Sequence, residues 1–338
     1  MIAPDSFKGT LGAAGVAAAI AAGWRSLRPE DELVVLPQAD GGEGTLEALQ
    51  AALPAAVRNV VRDVTGPDGR PVNAYWLALP DGTAAVELAL SSGLPLMPAL
   101  DPLGATTRGL GEVVAAALDA GATRLLVGLG GSASTDGGRG ALEALGWPNA
   151  LRAAPRDGVI LLSDVTAPLL GPDGAAAVFG PQKGATPEQV ALLEQRLTEF
   201  STLLGGDPAA PGAGAAGGTG YGLMAAWGAT ATSGADYIAA LTGLHAQQQD
   251  VLITGEGRFD SQSLSGKVVG QALARATGRT VVIAGALSAT APDLGFSLTA
   301  LAGSAEAAMA DTAHWVAVAG AEAARALSPT FLAHHPSQ

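Results

Sequence analysis

The sequence predicts an α/β protein in which both chain ends build a flavodoxin-like, doubly wound parallel sheet and a mixed α/β domain is inserted between them. Three observations carry this reading. A chain of 338 residues is long for one core and suits two domains of about 150 residues each. Near both ends, short apolar runs closed by turn residues alternate with helical periodicity. The middle instead carries the turn chemistry of antiparallel hairpins. The predicted boundaries are 1–58 and 236–338 for the sheet domain and 59–235 for the insertion.

Taken in order, Ile2-Ala3, Leu33–Leu36, Val251–Thr254, Val281–Ala284 and Phe296–Leu301 read as buried parallel strands. After the first, Val16, Ile20, Trp24 and Leu27 recur at helical spacing, with Thr10 placed to cap. After the third, Val268, Val269, Ala272 and Leu273 do likewise and stop at Gly278. Strand and helix in alternation imply the doubly wound sheet. Only Met1 and Ile2 precede the first turn, where a strand of about 5–6 residues is usual, so the reading expects this strand to lack its start. In the middle, the runs Val61–Val64, Val72–Leu79 and Thr83–Leu88 are separated by Gly-Pro-Asp-Gly and Pro-Asp-Gly turns. The Pro/Gly/Ala-rich stretch Gly205–Gly218 reads as an internal loop or linker. A cleft is expected where the two domains meet.

Composition excludes several classes of function. A net charge of −13 repels a polyphosphate backbone, and no basic stripe with interleaved aromatics offsets it, so nucleic acid is no partner. No apolar run reaches the ~18 residues of a membrane span, and no leader precedes Met1-Ile2-Ala3-Pro4, so the expected address is the cytoplasm, without a membrane partner. The lack of cysteine removes disulfides, thiolate metal sites and cysteine nucleophiles. Only four histidines occur, two of them in the tail, which leaves proton transfer to carboxylates or lysines.

Parallel sheets take ligands beyond the carboxyl ends of their strands. Three of the predicted strands deliver acids there: Asp5 in Pro4-Asp5-Ser6-Phe7-Lys8-Gly9, Asp40 and Glu43 in Ala39-Asp40-Gly41-Gly42-Glu43-Gly44, and Glu256 with Asp260 in Gly255–Ser261. Carboxylates among glycines suit Mg²⁺ and phosphate, because phosphoryl transfer asks a protein for positioning, metal ligands and cations rather than covalent chemistry. Capping and turn formation are the competing account of each acid. Asp164, at the end of the apolar run Leu161-Leu162, is a further candidate to orient a hydroxyl or bind metal.

Leu125–Gly138 reads as a strand entering a small-residue loop, in which Gly130, Gly131 and Ser132 offer backbone N–H groups to an anion and Asp136 follows. Gly212-Ala213-Gly214-Ala215-Ala216-Gly217 matches a dinucleotide fingerprint, but no strand enters it. Gly217 and Gly218 are therefore read as a phosphate- or substrate-facing turn, or a plain loop, ahead of a helix around Leu223–Trp227. Ser261–Val268 ends in Gly-Lys without the rest of a P-loop. Lys267, Lys183 in Phe179–Gly184, Lys8 and Arg258 remain as phosphate-directed cations in a chain with only 18 basic residues.

These stretches together resemble the bacterial glycerate kinase family, of the glycerate 2-kinase type. The matching segments run in order along nearly the whole chain: Ile2–Gly9, Ala39–Thr45, Thr65-Gly66-Pro67, Asp101-Pro102-Leu103 with Thr106-Thr107-Arg108-Gly109, Gly128–Gly138, Ser163–Pro168, Phe179–Gly184, Pro211–Gly220 and Ile253–Lys267. The resemblance implies transfer of the ATP γ-phosphoryl group to the 2-hydroxyl of D-glycerate with Mg²⁺, on the two-domain architecture described. Two departures are the short first strand and a short connection from Trp147 to Gly158.

The resemblance carries no residue-by-residue roles, so the site assignment rests on chemistry. Asp164, Asp136, Lys8 and Lys183 are the catalytic candidates. Asp5, Ser6, Gly130, Gly131, Ser132, Gly217, Gly218, Arg258 and Lys267 are the substrate- and phosphate-binding ones. Asp40, Glu43, Glu256 and Asp260 are the metal ligands. Transfer to the 3-hydroxyl and a non-catalytic binding protein stay open as alternatives, as does a homodimer.

Overall fold

The computed structural model describes residues 1–264 and 268–327. Lys267 lies outside the described residues. The chain divides into two compact units. One comprises Asp40–Leu46 and Ala55–Gly234, and the other Met1–Ala39, Glu47–Pro54 and the described chain from Ala235 onward. The Asp40–Leu46 turn, assigned from sequence to the terminal segments, packs with the inserted unit.

The inserted unit is built on a six-stranded sheet whose spatial order follows the chain: β1 (Val57–Thr65), β2 (Pro71–Ala78), β3 (Thr83–Glu87), β4 (Arg124–Gly128), β5 (Val159–Leu162) and β6 (Thr230–Thr232). The first three pair antiparallel, and β3 to β6 pair parallel. The hairpins form where the turn residues sit. Gly69 N donates to Gly66 O at 3.0 Å, and the Asp81 carboxylate accepts Thr83 N at 3.0 Å. β3 joins the antiparallel and parallel halves and is buried at every residue, as a strand covered on both faces must be.

Helix Arg108–Asp119 lays Leu110, Val113, Val114 and Ala117 against Val86, Leu125, Val127 and Leu161 of the sheet. Each such large aliphatic side chain, fully buried, contributes about 1.5–3 kcal/mol. Helix Pro187–Leu204 starts with a Thr186/Gln189 capping box and Pro187 at its first position. Its Leu193, Leu197 and Phe200 face the core, where Phe200 meets Trp147 and Tyr221 edge-on at 5.5 and 6.4 Å.

In the terminal unit, β7 (Val251–Phe259), β8 (Arg279–Leu287) and β9 (Leu294–Ser297) pair parallel. Ile2 bridges in parallel to Ile253 on one side and to Val35 on the other. The order from Val35 through Ile2, β7, β8 and β9 is therefore 2-1-3-4-5, the flavodoxin-like arrangement read from the sequence. Helix Ala13–Leu27 buries Val16, Ile20 and Trp24 in the same cluster as Val316, Ala319 and Ala323 of helix Thr312–Ala326.

Several local expectations are corrected. Thr10 does not cap the first helix; Gly12 stands at its N-cap, and the Thr10 hydroxyl donates to Phe7 O at 2.9 Å. The last strand is Leu294–Ser297 rather than Phe296–Leu301, because the Ser297 hydroxyl accepts Ala300 N and starts helix Leu298–Ala302. The Gly205–Gly218 stretch is no linker. It runs into helix Ala215–Trp227 within the inserted unit, its residues 212–215 buried. Helix Val268–Ala274 stops ahead of Gly278.

Candidate functional site

In the inserted unit, the carboxyl ends of β3, β4 and β5 carry Glu87, the Gly128–Gly138 loop and Ser163-Asp164 in turn. The Asp40–Thr45 turn lies over these ends. Gly130 N donates to Gly41 O at 3.1 Å, and a Cβ on Gly41 would stand 2.6 Å from Leu162 Cβ and 2.7 Å from Leu162 O. Likewise, a Cβ on Gly130 would press into Gly42 Cα, so the two glycine turns stack backbone on backbone. Only glycines permit this seat, which accounts for their density in both motifs. It brings Asp40, Glu43, Gly130, Gly131, Ser132 and Asp164 to one edge of the parallel strands.

Asp40 Oδ1 accepts Gly42 N at 2.9 Å, and its second oxygen makes no hydrogen bond among the described residues. Glu43 and Asp164 are exposed. Asp136 is committed otherwise: its carboxylate accepts Thr107 N at 2.9 Å, Thr107 Oγ1 at 2.8 Å, Gly138 N at 3.0 Å and Gly140 N at 3.2 Å. Those bonds tie the loop to the starts of helices Arg108–Asp119 and Arg139–Ala144. They suit Asp136 to shaping the loop rather than to aligning a substrate hydroxyl.

Lys183, expected as a phosphate-directed cation, is 3% exposed. The short 3-10 turn Pro181–Lys183, closed by Gly184, aims it inward. There its Nζ donates to Ser132 Oγ at 2.8 Å and to the Ser134 carbonyl. Burial lowers its pKa from 10.5 to about 8, partly opposed by the charge of Asp136. Gly217 and Gly218, expected to face phosphate or substrate, are buried beneath the same loop. Gly217 O accepts Gly137 N at 3.0 Å, and a Cβ on Gly217 would stand 2.9 Å from Lys183 Nζ. Lys183, Gly217 and Asp136 thus form the underside of the loop whose upper side holds Gly130 and Gly131. The hydroxyl oxygens of Ser91, Ser92, Ser134 and Thr135 are buried without a hydrogen-bond partner among the described residues.

In the terminal unit, Asp5 N donates to Gly255 O at 2.8 Å, and Asp5 Oδ1 accepts Ser6 N at 2.6 Å. The Phe7-Lys8 backbone lies beside Gly257. Asp5, Ser6 and Lys8 are thereby gathered next to Glu256 and Arg258 of β7. Glu256 lies within β7, opposite Ala284, because that strand continues five residues past Thr254. Asp260 organises the following turn, accepting Gln262 N at 2.9 Å and Ser263 N at 3.3 Å. Its 3.9 Å approach to Arg258 joins two solvent-facing side chains and contributes little.

The four carboxylates assigned to metal divide two and two between the units. Among the described residues no group of three or more His, Asp or Glu side chains stands ready to hold a metal ion. Paired hard oxygens on a turn, such as Asp40 and Glu43, fit an ion that takes one or two carboxylates and completes its shell with phosphate and water, as Mg²⁺ does.

Sequence reasoning missed Glu87 and Thr107. Glu87 ends the buried run Thr83-Ala84-Ala85-Val86, the same signal that singled out Asp164 after Leu161-Leu162.

The fold and this glycine-lined edge define an α/β enzyme that takes a small ligand beyond the carboxyl ends of parallel strands. Comparison with known proteins gives the family. The model of the glycerate kinase family matches residues 1–154 and 149–328. The glycerate 2-kinase of Escherichia coli K12 is 42% identical over 303 residues, covering 79% of each chain. The glycerate kinase of Bacillus subtilis 168 is 41% identical over 302 residues, covering 79% of this chain and 78% of its own. The crystal structure of a protein assigned as glycerate kinase 2 from Salmonella typhimurium LT2 superposes with a TM-score of 0.79 at 37% identity, over 96% of this chain and 97% of that one. The chain belongs to the glycerate kinase family. It is a kinase with an alcohol group as acceptor. Among the described residues no helix is long and apolar enough to cross a membrane.

Proposed function

We propose that this kinase transfers the γ-phosphoryl group of ATP to D-glycerate, at the 2-hydroxyl, giving 2-phosphoglycerate. The observation that carries the reading is the stacking of the Asp40–Gly44 turn on Gly130 and Leu162, which gathers carboxylates and glycine backbone at one strand edge. The 42% identity to the E. coli glycerate 2-kinase supports the choice of hydroxyl.

In this mechanism the Gly130-Gly131 turn faces phosphate oxygens, and Asp164 orients the attacking hydroxyl. Asp136 and Lys183 hold the loop from beneath. Asp40 and Glu43 are the residues that would hold Mg²⁺. When bound, Mg²⁺ offsets charge on the phosphate oxygens during transfer. Lys8 and Arg258, exposed beside Asp5 and Ser6, are assigned to the phosphate or to the glycerate carboxylate. The cytoplasm is the proposed address.

The test is ADP release dependent on D-glycerate, with the product identified by NMR. Absence of ADP overturns the reading in favour of a binding protein, ADP that forms without regard to D-glycerate overturns it in favour of ATP hydrolysis, and 3-phosphoglycerate as product overturns the regiochemistry. Asp164→Asn is expected to lower kcat on the order of 100-fold, within the range of positioned proton-transfer groups. Full activity in that variant removes Asp164 from its role.

A further inference from the structure

We propose that Glu87, the last residue of β3, is a positioning residue for phosphoryl transfer that sets where the Asp40–Thr45 turn stands. The proposal rests on the reading of that turn as part of the kinase site. Glu87 is 2% exposed, and both its carboxylate oxygens are used. Oε1 accepts Gly44 N at 3.0 Å and Oε2 accepts Leu46 N at 3.0 Å. These amides lie at the start of helix Thr45–Ala52, where a helix cannot satisfy its own N–H groups.

Gly130 N also donates to Gly41 O, and within the turn Gly42 N donates to Asp40 Oδ1 and Thr45 Oγ1 to Gly42 O at 2.7 Å. Glu43 stands between the Gly42 and Gly44 anchors, exposed, on a peptide fixed on both sides. Glu87 therefore acts on Asp40 and Glu43 through the backbone rather than by touching a ligand.

A carboxylate suits this position for a geometric reason. Two amides, one residue removed from each other, point at one side chain, and only a group with two acceptor oxygens and no donor meets both. Glutamine would accept one and turn an N–H toward the other. Aspartate keeps both acceptors but retracts them by one methylene. Because Glu87 is paired with Gly128 across the β3–β4 register, it cannot follow the turn if the turn shifts. Displacements of about 1 Å in a positioning element cost on the order of 100-fold in rate.

The experiment uses the full chain with ATP, Mg²⁺ and D-glycerate. It compares Glu87→Gln, Glu87→Asp, Asp40→Asn, Glu43→Gln and the double variant Glu87→Gln/Asp40→Asn. The readouts are kcat, KM, melting temperature and hydrogen exchange of the Gly44 and Leu46 amides. Expected for Glu87→Gln is a loss in kcat of about 10- to 100-fold with KM for D-glycerate within about threefold, and faster exchange at both amides. Glu87→Asp should recover part of the rate. The double variant should be no slower than the slower single one, because both changes act through one turn.

A wild-type kcat in Glu87→Gln while Asp40→Asn is impaired overturns the proposal alone. So does a double variant whose losses multiply, which marks Glu87 as merely structural. Wild-type rates in both Asp40→Asn and Glu43→Gln remove the turn from the site and overturn the functional reading and the proposal together, in variants that keep Glu87. If Glu87→Gln does not fold, Glu87→Asp is judged by the same outcomes.

Discussion

Replacing Gly217 by alanine separates two costs that are usually confounded. Gly217 has φ +64° and Gly228 has φ +65°, so an alanine at either pays the same left-handed penalty of about 1–2 kcal/mol. Their surroundings differ. A Cβ on Gly228 meets nothing within 4 Å. A Cβ on Gly217 would press into the Ser134 carbonyl and stand 2.7 Å from Thr135 Cα and 2.9 Å from Lys183 Nζ. Two of those three neighbours are backbone and cannot swing aside, so overpacking adds about 1–3 kcal/mol.

A unit of this size moves its midpoint by about 2–4 °C per kcal/mol, which sets Gly217→Ala some 2–12 °C below Gly228→Ala. Calorimetry gives the midpoints, and tryptophan fluorescence assigns the transition, since Trp76, Trp147 and Trp227 belong to the inserted unit. Midpoints that agree within a degree refute the packing of the 216–218 turn beneath Ser134. A lower kcat in Gly217→Ala than in Gly228→Ala would further tie this underside to the loop above it.

Other expectations follow from the same geometry. The folded pKa of Lys183, about 8, lies below its ordinary 10.5, so the unfolded chain binds more protons between those values. Stability therefore rises with pH across that window, by at most about 1.4 kcal/mol per pH unit. Lys183→Met should lose this rise in denaturant titrations at pH 7, 8, 9 and 10, and an unchanged rise would mean that another group causes it. Asp136→Ala strands four donors and should cost about 2–4 kcal/mol, read from the midpoint in urea, with Asp136→Asn recovering part. Thr186→Ala removes one half of the capping box and should cost about 1 kcal/mol, with no change in kcat.

The sequence was legible where local chemistry decides structure. Gly-Pro-Asp-Gly and Pro-Asp-Gly specify their hairpins because the turn residues fix register without help from the rest of the fold. The parallel strands at Val251 and Val281 were equally plain, each a short apolar run between turn signals, whereas the last strand was misplaced because Ser297 starts a helix there. Reading failed where a distant partner decides. Lys183 looks like a surface lysine in a glycine-rich turn, and only the fold reveals that the Ser132 hydroxyl and the Ser134 carbonyl accept its hydrogen bonds from inside. Glu87 reads as an ordinary strand end until Gly44 and Leu46, some 40 positions earlier, arrive with unpaired amides. Asp136 illustrates the third case, a carboxylate correctly placed at a loop whose oxygens are claimed by Thr107, Gly138 and Gly140. No strand enters the G-x-G-x-x-G stretch, as its sequence indicates, yet its burial was invisible because glycine carries no polarity to betray which way it faces.

The inserted unit is not a cassette. Its polypeptide enters twice, first as the seven residues 40–46 and again from Ala55, and the first visit supplies the strap that β3 grips and β5 supports. Lifted out at Ala55–Gly234, the fragment would bury a carboxylate against amides that no longer exist and expose the backbone of Gly130. Reattaching those seven residues by a tether should restore it, which makes the modularity of this kinase a question of threading rather than of length.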